Sequence, residues 1–501
     1  MLDEYKKNLN ICLSSDNLDM AGQLIEGFHK LGYEPDAECL YYESAFHYYS
    51  GNYAMALYYA DMCYLKAPDY APIYELIGYL TGYDGDFNTY KPSFSQDVSS
   101  YNRRLNIMAS TGFLPIVDYT VELFAKILKY LGHNVTLVDM VKTDEGYTCP
   151  VGTNLAANVD MLYEFNNMGI VLKDSKGNDY FEQRSIPVYS YMFDHPMFFA
   201  DEFTKITTNV ISMCTDRNHI KYINRFYPKV KDSLFVPLGS EEKPGNNIEW
   251  EKRPIKCLYV GSLKEAPKHL EDDFSEIVFA FQKENTSYTT EAAIEKCYRE
   301  LSDEEYKRIF PDVSKKYPKK RLDEDFLLRM NAHYCFCDLK INSFFRKKLV
   351  EVLVETGIDV WVYGKGWEDP RLMSNPCFHF GGLISQDECI EKMHETQYIL
   401  NSMPWFKDGT HDRIYNACLA GGLCVTDISK YLSEEYTDGE DIVYYDLDNM
   451  EKLPEIIRYY DSHPELIQPM LDRAYEKTVL KHSWTNRVID ILEHYFVNFD
   501  S

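Results

Sequence analysis

The sequence carries little positive charge for its size and contains no long hydrophobic run. Its 52 basic side chains face 79 acidic ones, and the formal net charge is −27. A nucleic-acid backbone or an anionic membrane surface is repelled by such a chain, so we expect neither as a partner. No apolar stretch approaches the length of a membrane span, and the first ten residues lack the basic-then-apolar order of a signal peptide. These absences predict a cytoplasmic protein that does not insert into membranes.

The cysteines do not form the closely spaced pairs of a metal site or a disulfide framework. Five of the thirteen stand inside apolar runs: Cys39, Cys63, Cys257, Cys418 and Cys424. This distribution is typical of reduced cysteines that pack as small hydrophobic residues in a cytosolic protein.

The first 95 residues have the pattern of paired helices. In "LYYESAFHYYSGNYAMALYYADMCYLKAPDY", Gly51 marks a turn, Ala56 and Ala60 lie one helical turn apart, and Pro68 follows the second helix. This spacing resembles a tetratricopeptide repeat, in which small residues let two helices approach closely. A generic helical hairpin remains the alternative, because two repeat units are fewer than the three that a free-standing array needs.

Tyrosine is abundant, with 42 copies, and several cluster in the segments "LYYESAFHYY" and "ALYYADMCYL". Two interpretations are open for these clusters. They form a face that binds a peptide, or they pack between the helices of the repeat.

From residue 104 onward, short apolar strands alternate with helical periods. Continuous apolar strands of this kind predict parallel sheets covered on both faces. We therefore expect an α/β fold with two Rossmann-like domains facing a cleft, preceded by the helical module. The predicted divisions are a helical module at 1–95, an acceptor-side domain at 104–246, a nucleotide-sugar-binding domain at 247–480 with a helical insertion at about 264–338, and a C-terminal helix at 481–501.

Fold alone does not select a function, but the stretch "LNSMPWFKDGTHDRIYNACLAGGLCVTD" does so. It predicts a strand, a loop, and a helix whose first turn holds His411, Asp412 and Arg413. A helix N-terminus offers free N–H groups and partial positive charge, so it suits a diphosphate, with His411 and Arg413 adding charge. The alternative is a solvated first turn without a ligand. A dinucleotide cofactor is not favoured, because "YGKGW" supplies Gly364 and Gly366 but no third glycine.

The same stretch, together with "AYEKTVLKHSWTNRVIDIL" and "VYGKGW", resembles the C-terminal half of group 1 glycosyltransferases of the GT-B fold. The spore-maturation branch of that group is the most similar. The resemblance covers residues 340–495 well and residues 104–260 only as a pattern.

The resemblance implies particular donor-binding residues. Where retaining members place two glutamates eight positions apart, this sequence has Asp408 and Asn416. Where the family neutralises the diphosphate with a loop Arg and Lys, this sequence offers Lys264 or Lys268. Arg346, early in the helix before "VYGKGW", is the expected substitute for the missing loop arginine.

A second pair of polar residues follows an apolar strand in the first domain, at "YSYMFDHP". His195 can titrate near neutral pH and Asp194 can orient it, which suits an acid/base group at the carboxyl end of a strand. Retaining members of the family have a His near the donor sugar in a comparable place. Alternatively, both residues only cap and turn the chain before Pro196.

The sequence therefore predicts a glycosyltransferase that moves a sugar from a nucleotide-sugar donor to an acceptor. A retaining, metal-independent reaction without a cofactor is expected, with a protein acceptor such as a surface or flagellar protein. Two alternatives are a non-catalytic scaffold and a nucleotide-sugar epimerase or hydrolase on the same fold.

Overall fold

The computed structural model describes ten ranges of the chain: 2–31, 34–94, 103–143, 146–148, 158–167, 181, 184–206, 209–241, 248–319 and 323–499. The fold divides into two compact units. Unit 1 comprises Met1–Tyr189, Gly239–Glu242 and Lys477–Ser501, and unit 2 comprises Ser190–Leu238 and Lys243–Glu476.

Unit 1 begins with a run of helices: Leu2–Ser14, Leu18–Lys30, Ala37–Tyr49, Tyr53–Lys66 and Pro72–Thr81. Side-chain oxygens start the third and fourth helices, since Asp36 accepts from the backbone N–H of Cys39 and Asn52 from that of Met55. Ala56 and Ala60 are fully buried, which lets these two helices pack closely. The all-α module is present, while its assignment as a tetratricopeptide repeat stays a prediction.

The helical module packs on the adjoining α/β region within unit 1. The Tyr59 hydroxyl donates to the carbonyl of Tyr130 at 3.0 Å, and Arg104 donates to the carbonyl of Lys30 at the same distance. These contacts make the module part of the unit's core rather than a detached appendage.

The first sheet contains six strands in the order β2-β1-β5-β6-β7-β8. Its strands are β1 Asn106–Thr111, β2 Asn134–Asp139, β5 Met161–Phe165, β6 Val188–Met192, β7 Val210–Cys214 and β8 Asp232–Phe235, and a separate hairpin joins β3 Val141–Thr143 to β4 Gly146–Thr148. β1 pairs in parallel with β2 and β5, and β7 pairs in parallel with β8. The division between the units falls inside β6. The predicted strand at 168–172 lies outside the described residues.

The second sheet lies in unit 2 and has the order β11-β10-β9-β12-β13-β14, with every neighbouring pair parallel. Its strands are β9 Ile255–Val260, β10 Val360–Tyr363, β11 Phe378–Gly382, β12 Thr396–Leu400, β13 Leu423–Asp427 and β14 Val443–Tyr445. Together, the two parallel sheets confirm the predicted α/β architecture with two Rossmann-like regions.

Helices occupy the chain between β9 and β10: Asp273–Glu284, Thr290–Glu300, Asp303–Ile309, Pro311–Ser314, Glu324–Tyr334 and Phe336–Val354. The first five form the segment called here the inserted helices. They have a hydrophobic core of their own, which includes Phe274, Ile294 and Tyr298.

The remaining α-helices are Pro115–Tyr130, Ala200–Thr204, Arg217–Phe226, Pro370–Met373, Gln386–His394, Asp412–Leu419, Lys430–Glu435, Leu453–Asp461, Ile467–Lys481 and Trp484–Phe499. Among the described helices, none combines the length and the apolar character that crossing a bilayer requires.

Candidate functional site

Two loops cross at the carboxyl ends of β9 and β10. The backbone N–H of Gly261 donates to the carbonyl of Tyr363 at 2.8 Å, and that of Leu263 donates to the carbonyl of Lys365 at 2.9 Å. In return, the N–H of Lys365 donates to the Ser262 hydroxyl at 3.0 Å. The carboxyl end of a parallel sheet is where doubly wound folds bind ligands, so this crossing is the place to look for a site.

The predicted glycines Gly364 and Gly366 make this crossing possible. Gly364 has φ of +141°, and a Cβ there would lie 2.4 Å from the carbonyl oxygen of Gly261. At Gly366, φ is +84° and a Cβ would lie 2.9 Å from the carbonyl oxygen of Leu263. Both positions therefore require glycine because another backbone passes too close for a side chain.

Arg346 reaches the crossed loops from the helix Phe336–Val354. Its Nη1 donates to the carbonyl of Ser262 at 2.6 Å, and its guanidinium lies 4.9 Å from the centre of the Trp405 ring. The Nε atom is buried and has no hydrogen-bond partner. Burial lowers the pKa of Arg346, and the charge of Arg413 lowers it further.

Arg413 approaches the same loops from the helix Asp412–Leu419. Its side chain is buried, with 7% exposure, and donates to the Oδ1 of Asn401. The guanidinium lies 5.3 Å from the centre of the Tyr259 ring, and a Cβ built at Gly261 would be 3.3 Å from its Nη2. Arg413 is thus enclosed beside the loop rather than solvated in an open first turn.

Neither arginine forms a salt bridge with a carboxylate among the described residues. Each guanidinium has five N–H donors; that of Arg346 contacts the Ser262 carbonyl and the Tyr259 hydroxyl, and that of Arg413 contacts Asn401. Asp338 acts on Arg346, and Asp412 and Asp427 act on Arg413, from beyond salt-bridge distance. Both guanidinium groups therefore keep donors for a further acceptor. The arrangement can accept an anion that bridges Arg346 and Arg413.

The start of the helix Asp412–Leu419 adds to this anion-binding character. His411 caps the helix, and its Nδ1 accepts from the backbone N–H of Arg413 at 3.2 Å. Burial lowers the pKa of His411, with a further contribution from Arg413, while Asp412, at 2.6 Å from Nδ1, partly offsets this effect. Asp412 is the first helical residue, and Asn416 lies buried in the helix. The free N–H groups of this helix start complement an anion.

Three buried hydroxyls lie around the arginines and the helix start: Tyr259 Oη beside Arg346, Ser402 Oγ beside Tyr445, and Thr410 Oγ1, which has no hydrogen-bond partner among the described residues. Tyr259 stacks under Arg413, Ser402 follows β12, and Thr410 precedes the helix cap. Unpaired buried hydroxyls in a native fold are rare and call for an explanation such as a bound group.

Asp408, which stands at the first glutamate position of the family pattern, forms ion pairs in the structure. Its carboxylate lies 3.2 Å from Nη1 of Arg217 and 3.8 Å from Nζ of Lys430. Its backbone N–H donates to Oδ2 of Asp216 at 2.9 Å. Asp408 therefore joins the second sheet's loop to the helix Arg217–Phe226, and within the described residues it makes no direct contact with Arg346 or Arg413.

His195 and Asp194 follow β6 as expected, but they face different surroundings. The Nδ1 of His195 accepts from the backbone N–H of Met197 at 3.1 Å, so His195 caps the short turn that follows. Its Nε2 lies 3.2 Å from Oε2 of Glu291, on the inserted helices. Burial lowers the pKa of His195, but Glu291 more than offsets this effect and the pKa is raised. One ring nitrogen of this buried histidine thus contacts the backbone of Met197, and the other lies beside the carboxylate of Glu291.

Part of the Asp194 side chain is exposed to solvent. The surrounding protein atoms desolvate its carboxyl group and raise its pKa, and the charge of Lys264 partly offsets this rise. The structure thus brings Asp194 near Lys264, whose own side chain is exposed. Lys268 is exposed in the turn Lys268–Leu270. Neither lysine forms a salt bridge within the described residues.

Several residues of this region escaped the sequence analysis, notably Trp405, Asn401, Tyr259 and Glu291. Trp405 lies in a turn after β12, and its position beside Arg346 is visible only in the structure. Asn401 and Tyr259 looked like ordinary strand residues. Glu291 lies almost one hundred positions from His195, and no local pattern connects them.

The described residues contain no group of three or more His, Cys, Asp or Glu side chains arranged to hold a metal ion.

Residues 345–493 match the sequence profile of a family described as glycosyl transferase-like. This range contains Arg346, both loop glycines and the helix that carries Arg413. For this part of the chain, the match confirms the resemblance to glycosyltransferases, and the spore-maturation branch stays a prediction. No curated protein matches the chain by sequence.

Solved structures with a similar chain trace include a sucrose-phosphate synthase from Thermosynechococcus elongatus, at 10% identity and a TM-score of 0.46, covering 79% of this chain and 100% of that one. A glycosyltransferase from Rickettsia africae aligns at 11% identity and a TM-score of 0.44, covering 79% and 98%. An alpha-glucosyltransferase solved with UDP-glucose and DNA aligns at 12% identity and a TM-score of 0.42, covering 79% and 99%. Likenesses this distant carry no information on activity.

Proposed function

We propose that this chain is a glycosyltransferase that transfers a sugar from a nucleotide-sugar donor to an acceptor. The observation that carries the proposal is the pair of enclosed arginines, Arg346 and Arg413, which lie beside a crossed glycine loop and form no salt bridge with a carboxylate among the described residues. These residues lie inside the range that matches a glycosyl transferase-like family.

The diphosphate of the donor is the anion that suits this pair. Arginine guanidinium groups bind phosphate oxygens through two parallel hydrogen bonds, and such charge-assisted bonds are the stronger kind. As the sugar leaves, negative charge develops on the diphosphate, so groups that hold this charge stabilise the transition state more than the ground state. Arg346, Arg413 and the N–H groups at the start of the helix Asp412–Leu419 fill this role.

Positive side chains and helix N–H groups also provide the charge that a divalent cation supplies in other enzymes. We therefore propose a metal-independent reaction, and the resemblance adds a retaining outcome. We also propose a protein acceptor, because the helical module adds a surface without catalytic residues. His195 and Asp194 stay catalytic candidates, with His195 near the donor sugar as the resemblance implies.

A thermal-shift screen of UDP-, GDP- and dTDP-sugars tests the donor. A ligand present at 100 times its Kd stabilises the folded state by about 2.7 kcal/mol, which is a readily measured rise in Tm. We expect at least one nucleotide sugar and its nucleoside diphosphate to raise the Tm, and Arg413→Gln to reduce the rise. No shift with any nucleotide sugar at millimolar concentration would refute the proposal.

Product analysis then separates the alternatives. A glycosyltransferase consumes the donor faster when acceptor is present, whereas an epimerase or hydrolase changes the donor without one. The anomeric configuration of the product, read by NMR, tests the retaining outcome.

A further inference from the structure

The helical module presents a cluster of tyrosines that the core does not use. It consists of Tyr41, Tyr48, Tyr49, Tyr53, Tyr70 and Tyr79, called here the tyrosine patch. The residues come from the helices Ala37–Tyr49, Tyr53–Lys66 and Pro72–Thr81 and from the turn before the last of these.

The rings of the patch form two groups of contacting tyrosines along the helix Ala37–Tyr49. Tyr48 is the centre of one group, because its ring lies 5.6 Å from those of Tyr49 and Tyr53 and stacks 6.5 Å from that of Tyr79. Tyr41 lies two helical turns before Tyr48, about 10 Å along the same helix, and its ring contacts that of Tyr70 at 5.9 Å. The patch is therefore an elongated strip along the helix Ala37–Tyr49.

Packing between helices explains only part of this strip. Tyr48 and Tyr53 are half-buried, but Tyr49 is 62% exposed and Tyr79 is 66% exposed. Large aromatic side chains that contact each other in solvent gain little from folding. Exposed tyrosines are enriched instead where proteins bind other molecules, since they offer contact area at a low cost in conformational entropy.

The charge around the strip indicates what it binds. Residues 2–94 contain 14 acidic residues, five lysines and no arginine. Lys6, Lys30 and Lys66 are already paired with carboxylates. Among the described residues Glu75 forms no salt bridge, and it accepts a hydrogen bond from the Tyr79 hydroxyl at 3.0 Å at the edge of the strip.

We infer that the tyrosine patch binds a basic, extended polypeptide segment. Lysine and arginine side chains are attracted to the faces of aromatic rings, and the Glu75 carboxylate adds a charge partner. A second copy of this acidic chain is disfavoured by its own net charge of −27. If the segment belongs to the acceptor, the inference deepens the proposed function and, to that extent, rests on it.

Binding can be measured without a donor, so the inference can be tested independently of the proposed function. An extended chain rises about 3.3 Å per residue, and a peptide of about eight residues spans the strip. The probe is an alternating lysine–serine peptide of that length, titrated by calorimetry into the full chain. The comparison ligands are a glutamate–serine peptide, a glutamine–serine peptide and a neutral malto-oligosaccharide.

Three variants locate the binding site. The double variant Tyr49→Ala and Tyr79→Ala removes the exposed rings, the corresponding double phenylalanine variant keeps them, and Tyr459→Ala removes a tyrosine of unit 2 that is 50% exposed. We expect the double alanine variant to weaken lysine–serine binding at least about tenfold. The double phenylalanine and Tyr459→Ala variants should bind within about twofold of the wild type.

Several results would overturn the inference. These are equal affinity in the double alanine variant, equal loss in Tyr459→Ala, or stronger binding of the glutamine peptide or the malto-oligosaccharide than of the lysine peptide. Since the changed side chains are exposed, an unchanged Tm verifies that each variant is folded. Loss of peptide binding with retained nucleotide binding separates this site from the one that holds the donor.

Discussion

Replacing Arg346 by glutamine should change nucleotide binding and unliganded stability in opposite directions. In the structure, burial and the neighbouring charge of Arg413 lower the pKa of Arg346. A basic group whose pKa is lowered in the folded state destabilises the fold in its charged form. Glutamine removes that charge and keeps a polar N–H near the carbonyl of Ser262. We therefore expect the Tm of the unliganded variant to equal or exceed that of the wild type.

Binding of a nucleoside diphosphate should suffer from the same change. A hydrogen bond to a charged group contributes about 1.5–3 kcal/mol, which corresponds to a Kd raised about 10- to 150-fold. Isothermal calorimetry with UDP, GDP and dTDP measures this change directly. Arg413→Gln should weaken binding over the same range, because both side chains face one ligand.

A paired arginine serves as the matched control. Arg225 contacts Glu295 at 2.9 Å and Glu324 at 2.6 Å. Arg225→Gln should leave the nucleotide Kd unchanged and lower the Tm slightly, because its carboxylate partners lose their cation. Wild-type affinity in both Arg346→Gln and Arg413→Gln would refute the assignment of the anion site.

Three further predictions concern the loop, a buried carboxyl and metal. Gly364→Ala should destabilise the fold by about 1–3 kcal/mol more than Gly357→Ala in urea unfolding, because only at Gly364 would the new Cβ meet another backbone; equal losses would contradict the crossing. Burial raises the pKa of Asp427 to about 6 from 3.8, so its protonated form favours the fold and stability is lost as pH rises from about 4 through about 6. The free energy of unfolding of Asp427→Asn should thus exceed that of the wild type by up to about 3 kcal/mol at pH 8 and equal it at pH 4. A difference that does not depend on pH would contradict this reasoning. Donor turnover should persist in excess chelator, and a complete, reversible loss would overturn metal independence.

The sheets could be predicted from the sequence because their signal is local. Segments such as "IKCLYVGS" and "IDVWVYGKGW" are continuous apolar runs, and β9 and β10 begin and end within a few residues of them. The same applies to the helix Asp412–Leu419, which was expected from its first turn and its small residues. Strand order was not written in any single segment, since it depends on which strands pair across the whole chain.

Site residues could be predicted from the sequence only where the neighbouring residues mark them, as at a strand end or a helix start. Gly364 and Gly366 were noticed as glycines at a strand end, but their role is visible only in the structure, where a Cβ at Gly364 would lie 2.4 Å from the carbonyl oxygen of Gly261. Asp408 was named from its position in the family pattern, and its pairing with Arg217, which is far away in the sequence, became visible only in the structure. A contact partner that far away in sequence leaves no periodicity or spacing to detect.

The surplus of negative charge and the enclosed arginines act on a donor at different distances. At physiological ionic strength the Debye length is about 8 Å, so most of the chain's net charge of −27 is screened from a ligand already in the site. Arg346 and Arg413, by contrast, act at contact distance and in a less polar environment, where each interaction is stronger. The acidic surface therefore reduces non-specific attraction of phosphates, and the arginine pair provides local affinity where the loops cross. An acidic protein can in this way hold an anionic donor without becoming a general polyanion binder.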